Sequence, residues 1–140
     1  MPPSAAGGTP AVVIDTNRVL DLWLFDDPQV DALRDAIACG GTRWLAQPAM
    51  REELARVLGY PAVLAQLARR QRTADSVLAA FDRWSHPVPA ADPAPVRCRD
   101  PDDQIFIDLA VAWRARLFSK DLAVLALARR LAPLGVTVER

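Results

Sequence analysis

The chain has 140 residues, 51% of them hydrophobic, and a formal net charge of zero at pH 7. That length suits one domain with a buried core. The lack of any apolar run near ~18 residues excludes a membrane-spanning helix, and the neutral balance excludes a global field that would draw in a polyanion. Cys39 and Cys98 stand far apart without histidines nearby, which excludes a disulfide framework or a zinc-ligand spacing; they read as buried thiols in a reducing cytoplasm.

Residues 1–10 are rich in proline, glycine, serine and alanine, with neither a basic start nor a hydrophobic block. They read as a flexible lead-in and not as a signal peptide, and residues 11–140 as the single domain. Val12-Val13-Ile14 is apolar at every position, the pattern of a strand buried on both faces of a parallel sheet. Asp15-Thr16-Asn17 falls at the carboxyl end of that strand, the edge where open α/β sheets bind ligands. A short helix is expected from Asn17 to Phe25. Asp26-Asp27-Pro28 then opens a second helix that stops at Gly40-Gly41. Thr42 to Ala46 reads as a strand, and Pro48 starts a helix that Gly59 and Pro61 end. Pro61 to Arg72 and Thr73 to Trp84 read as two more helices. His86 to Pro101 holds five prolines and reads as a loop. Asp102 to Arg114 is a strongly apolar helix, Arg116 to Ser119 a strand, Asp121 to Leu131 a helix and Val136 to Glu139 a last strand. Such alternation predicts an α/β fold with a mainly parallel sheet covered by helices on both faces.

The acids carry the chemistry. With about 100° per helical residue, Glu52 points away from the Met50/Leu54/Val57/Leu58 stripe, while Glu53 sits at its border and can lean over the sheet edge. Both could instead be solvated partners of Arg56. In Asp100-Pro101-Asp102-Asp103, local chemistry offers a complete alternative account: an N-cap, a first-turn proline and two acids facing the helix dipole. The helix they open is apolar nearly all round, however, so an acid in its first turn can face the interior. Carboxylates ~4 Å apart repel by about 4 kcal/mol at an intermediate dielectric unless a cation intervenes. Asp121 reads as the N-cap of the last helix, but like Asp15 it lies where a strand hands over to a helix.

Ile14-Asp15-Thr16-Asn17, Glu53-Leu54 with Val57-Leu58, Arg99-Asp100-Pro101-Asp102-Asp103 and Phe118-Ser119 with Asp121-Leu122, taken in order, resemble the PIN-domain family. The likeness is greatest to the branch that forms the toxin component of bacterial toxin–antitoxin pairs, and it spans residues 11–139. The resemblance implies a three-layer α/β/α fold and a metal-dependent ribonuclease. It places the metal-binding and catalytic acids on Asp15, Glu53, Asp103 and Asp121. Asp103 is preferred to Asp100 because it stands seven residues before Ala110, as the family's third acid stands before a small residue. Thr16, Asn17 and Ser119 match positions that orient the acids through hydrogen bonds. In two respects the chain departs from the family. Lys120 stands where relatives often have glycine or another small residue. The chain also ends just after the last strand, so that edge is expected to be less covered.

Carboxylate oxygens suit Mg²⁺ or Mn²⁺; such a cation activates water and offsets charge on the phosphoryl oxygens. RNA, a cognate antitoxin and a second copy in a homodimer are the expected partners, in the cytoplasm and away from any membrane. Arg69, Arg70 and Arg72, with Arg51 and Arg56, are candidate phosphate contacts, or else a solvated basic face. His86 is expected to be a surface residue, and the tryptophans core or interface residues. The alternatives are a PIN-like RNA- or protein-binding module without nuclease activity, and a receiver-type signalling domain. The receiver pattern needs adjacent acids after the first strand, where Thr16 follows Asp15, and a lysine after the last. A haloacid-dehalogenase-type phosphatase needs aspartate at position 17, which is Asn17.

Overall fold

The computed structural model describes residues 9–140; the lead-in expected at 1–10 falls mostly outside them. Pro10 is already engaged, its carbonyl accepting from Arg43 N at 2.8 Å and from Thr42 Oγ1 at 2.9 Å. Five strands follow in the chain: β1 (Ala11–Ile14), β2 (Arg43–Ala46), β3 (Ser85–Pro87), β4 (Arg116–Phe118) and β5 (Thr137–Glu139). They form one sheet in the order β3-β2-β1-β4-β5, every pairing parallel. All four residues of β1 are buried, as the uninterrupted apolar run requires for the central strand of such a sheet.

Helices α1 (Thr16–Trp23), α2 (Asp31–Ala38), α3 (Pro48–Leu58), α4 (Pro61–Arg69) and α5 (Ala74–Trp84) lie between β1 and β3. Helix α6 (Gln104–Trp113) leads to β4, and the short α7 (Leu122–Leu125) and α8 (Ala128–Leu131) lead to β5. Strand order runs one way from β1 to β3 and the opposite way from β3 through β4 to β5. Right-handed crossovers therefore place α1–α5 on one face and α6–α8 on the other, giving three layers. Trp44 of β2, 1% exposed, anchors the first face: it stacks on Trp23, which stacks in turn on Trp84, and it meets Phe81 edge-on. The opposite face is sealed by α6, whose Phe106, Ile107, Leu109 and Ala110 are all buried.

Three expectations need correction. The proline-rich stretch from His86 begins as a strand, β3, in register with β2. It lies at the sheet edge, where Pro87 can sit without breaking the ladder because its missing N–H is not needed on the open side. His86 is exposed there, as expected of a surface residue. The helix expected from Asp121 to Leu131 is two short ones, because Leu127 N bonds Val124 O at 2.9 Å and tightens the turn. Cys39 is exposed and Cys98 only half-buried; Cys39 caps α2 beside Gly40, where the chain turns outward. Among the described residues no helix is long and apolar enough to cross a membrane.

Candidate metal centre

Strand order reverses between β1 and β4, so the helices leaving these two strands diverge to opposite faces and open a crevice at their carboxyl ends. Ile14 pairs with Phe118, which brings the next residues of the two strands, Asp15 and Ser119, side by side. Asp15 N donates to Phe118 O at 3.0 Å. The Asp15 carboxylate caps α1 through Oδ1, accepting from Arg18 N at 3.0 Å, and its Oδ2 accepts from Ser119 Oγ. Ser119 is fully buried and works in both directions, since its Oγ also accepts from Asp121 N at 3.0 Å. One hydroxyl thus ties the acid after β1 to the acid that opens α7.

Glu53 arrives from α3. Its neighbour Glu52 is exposed while Glu53 is half-buried, as the helical-face argument requires, and Thr16 Oγ1 donates to Glu53 Oε2. Asp15, Thr16, Asn17, Glu53 and Asp103, with Val57 and Phe106, line one cleft of about 140 Å³. Asn17, expected to orient the acids, instead lines that cleft as an exposed residue and makes no hydrogen bond to any of them among the described residues.

Asp100, Asp103 and Asp121 form a tighter group, each offering a carboxylate oxygen within 4.8 Å of the others. Asp100 caps a single 3₁₀ turn, Pro101–Asp103, by accepting from Asp102 N at 3.0 Å through Oδ1. Asp121 caps α7, accepting from Ala123 N at 2.8 Å, also through Oδ1. Capping therefore engages Oδ1 of each and leaves Oδ2 uncapped. Asp103 ends the 3₁₀ turn directly before α6 and caps nothing through its side chain. Its Oδ2 is buried without a hydrogen-bond donor. An uncompensated buried carboxylate oxygen is costly, and its surroundings favour the neutral carboxyl. Burial, a hydrogen bond with Asp121 and the charges of Asp121, Asp100 and Asp15 together raise the Asp103 carboxyl from 3.8 to about 7. Asp15 is also pushed up, chiefly by burial; the Ser119 and Arg18 hydrogen bonds and the Lys120 charge pull it down, and the Asp121 charge adds to the rise.

These residues fit a divalent cation. The donors are hard oxygens, they converge, and an orphaned buried oxygen among neighbouring carboxylates is what a cation would relieve. Asp100, Asp103 and Asp121 could hold it from one side, with Asp15 and Glu53 facing the same cleft but outside the 4.8 Å group.

The sequence reading passed over several supporting residues. Gln104, 6% exposed, accepts from Cys98 N at 2.6 Å and donates to Val96 O at 3.0 Å and Asp108 Oδ1 at 2.7 Å. Asp108 in turn accepts from Ala94 N at 2.9 Å, and Gln47 Oε1 from Ala91 N at 3.0 Å. Together they pin to the core the proline-rich loop that delivers Asp100. The available signal was a glutamine and an aspartate four apart on an otherwise apolar helix, where polar groups need partners. Cys98 lies beside the acids: burial pushes its thiol up, opposed by the Asp100 backbone amide and reinforced by Asp103, Asp121 and Asp100.

The proposed phosphate-binding arginines are mostly engaged within the protein. Arg51 forms a bidentate pair with Asp82. Arg72 bonds the carbonyls of Trp23 and Leu24, both at 3.1 Å, and pairs with Asp26. Arg70 bonds Phe25 O at 3.3 Å and stacks over the Phe25 ring. They fasten α3 to α5 and the end of α1 to the α4–α5 turn, roles that need long-range pairing and so leave no local trace. Arg56 and Arg69 remain exposed.

A family model described as a PIN domain matches residues 11–118, a span that contains β1 to β4 and, with them, Asp15, Glu53, Asp100 and Asp103. No curated protein matches the chain significantly.

Proposed function

The chain belongs to the PIN-domain family, and on that premise we propose that it is an Mg²⁺- or Mn²⁺-dependent endoribonuclease, the toxin of a toxin–antitoxin pair. PIN domains are generally metal-dependent nucleases acting on nucleic acids; RNA as substrate, the choice of cation, an antitoxin partner, a homodimer and a cytoplasmic location are the finer parts of the reading. The observation that carries it is the crevice at the β1/β4 reversal, where Asp103 keeps an orphaned buried oxygen among acids from four separate segments.

In this reading Asp15, Glu53, Asp103 and Asp121 are the metal-binding and catalytic acids, with Asp100 as a further donor. A bound cation supplies Lewis-acid chemistry, offsetting charge on the phosphoryl oxygens and lowering the pKa of a water. Ser119 and the Arg18 amide hold Asp15 in one orientation, so its carboxylate needs no reorganisation when charge develops nearby. Thr16 engages Oε2 of Glu53, which leaves Oε1 to accept a proton at the cleft. Val57 and Phe106 in the cleft wall limit water around the acids.

The deciding assay measures RNA cleavage with Mg²⁺, Mn²⁺ or EDTA for wild type and Asp15→Asn. Cleavage should require a cation and fall by at least about a hundredfold in the variant. Cleavage that survives both chelation and the substitution would sink the mechanism. The antitoxin claim stands or falls on whether the product of a small adjacent reading frame co-purifies with the chain and suppresses cleavage.

A further inference from the structure

Lys120 is the only lysine in the chain and lies between Ser119 and Asp121. Its Nζ rests 2.6 Å from Asp21 Oδ2 on α1, and the same oxygen accepts from Arg18 Nη1 at 3.0 Å. One carboxylate oxygen therefore has two cations, and they are not equivalent. The Arg18 side chain is 1% exposed, and its Nε already lacks a partner. Releasing Asp21 would leave that buried guanidinium with only the more distant Asp27 Oδ2, at 4.0 Å, which is unfavourable. The Lys120 side chain is 38% exposed and ends a flexible four-carbon stem. Water reaches Lys120 while the Asp21 side chain is 6% exposed, and Asp21 stays neutralised by Arg18 if Lys120 departs.

Location gives this redundancy a use. Lys120 lies between Ser119, which donates to Asp15, and Asp121 of the acid group, so its backbone adjoins a cleft whose charged lining groups are carboxylates. Of the five candidate phosphate-binding arginines, Arg51, Arg70 and Arg72 are occupied within the protein, while Arg56 and Arg69 are exposed. Lys120 is held by a partner that can spare it.

We propose that Lys120 is a substrate phosphate contact that exchanges Asp21 Oδ2 for a backbone phosphate of the strand bound at the acid cleft, while Arg18 keeps Asp21 neutralised. This rests on the ribonuclease reading and adds to it a residue outside the carboxylate set. Lysine suits the task as a mobile point charge that can follow a phosphate.

The test is the salt dependence of binding of a short fluorescein-labelled RNA to the full chain loaded with Ca²⁺, read by anisotropy for wild type, Lys120→Met and Lys120→Arg. Melting temperature and Mn²⁺ binding by calorimetry are measured on the same proteins. Losing one phosphate contact should make the slope of log K against log salt shallower by about 0.7 in Lys120→Met. Its affinity deficit should close as salt rises, Lys120→Arg should keep the wild-type slope, and Mn²⁺ binding should persist in both. An unchanged slope in Lys120→Met overturns the proposal, and a lowered melting temperature with that unchanged slope identifies Lys120 as a structural tie to α1 instead. If the wild type neither binds nor cuts RNA, the ribonuclease reading fails and takes this proposal with it. Binding by wild type with an unchanged slope in the variant removes this proposal alone.

Discussion

Asp103→Asn removes one charge from three carboxylates whose oxygens lie within 4.8 Å of one another. At that separation each ionised pair repels by about 3–4 kcal/mol at an effective dielectric near 20. The folded protein lessens this by keeping Asp103 protonated up to about pH 7, against an ordinary value of 3.8. An acid whose pKa is raised on folding binds more protons folded than unfolded between those two values. Wild-type stability without a cation therefore falls as pH rises from about 4 through 7. At 1.36 kcal/mol per pH unit the ceiling on that loss is about 4 kcal/mol. Water reaching the half-buried group screens it, so we expect about 1–3 kcal/mol by pH 8. Asparagine does not titrate and can donate to Asp121. In EDTA at pH 8 the variant should melt higher than wild type by roughly 3–9 °C for a chain of this size, and at pH 5 the gap should be about a third as large, since only that part of the interval from 3.8 to about 7 has been crossed. Saturating Mn²⁺ should reverse the order at pH 8, because binding stabilises wild type by about 2.7 kcal/mol at a hundredfold excess over Kd and the variant has lost a donor. Scanning calorimetry under the three conditions decides it. The reasoning is refuted if the variant melts lower than wild type in EDTA at pH 8, or if Mn²⁺ leaves the wild-type melting temperature unchanged.

Ser119→Ala strips a donor from Asp15 and an acceptor from the Asp121 amide, which should cost about 1–3 kcal/mol in urea denaturation. It should also weaken Mn²⁺ binding about 10–100-fold, because Ser119 orients an acid of the site; undiminished affinity in calorimetry would remove Ser119 from the supporting set. Gln104→Leu leaves Cys98 N and Val96 O without their partner. Hydrogen exchange should then quicken at the Cys98 amide, with stability lower by about 1–3 kcal/mol per buried group left unpaired, while an equally protected amide would show that the loop does not depend on Gln104.

The site acids illustrate why local reasoning stopped short of a choice. Asp100 and Asp121 could each be explained as helix N-caps, and each is one; the structure makes Asp15 an N-cap as well. The two explanations do not compete, because capping engages Oδ1 and leaves Oδ2 for a second purpose. Asp103, which caps nothing, is the acid that local chemistry explains least, and burial together with its acidic neighbours raises its proton affinity. Between Glu52 and Glu53 the helical period sufficed, since which face a residue occupies on a regular helix depends only on its neighbours in the chain.

Periodicity and runs of apolar residues were enough for the central strand, the amphipathic helices, the apolar α6 and the side of α3 that bears Glu53, all of which are set within a few turns of chain. The tertiary structure alone decided the rest. It turned the proline-bearing segment after α5 into an edge strand, because a strand exists only where another offers it a ladder. It used Arg51, Arg70 and Arg72 as internal ties, across 31 to 49 residues, and made Gln104 and Asp108 the anchors of a loop, across 6 to 14 residues. It placed Lys120 on Asp21, an oxygen that Arg18 already neutralises. It also gathered Asp100, Asp103 and Asp121 within 4.8 Å. Charge repulsion at that distance is invisible in one dimension, where 18 residues separate Asp103 from Asp121. It becomes a site only when the sheet reverses its order and brings the two strand ends together.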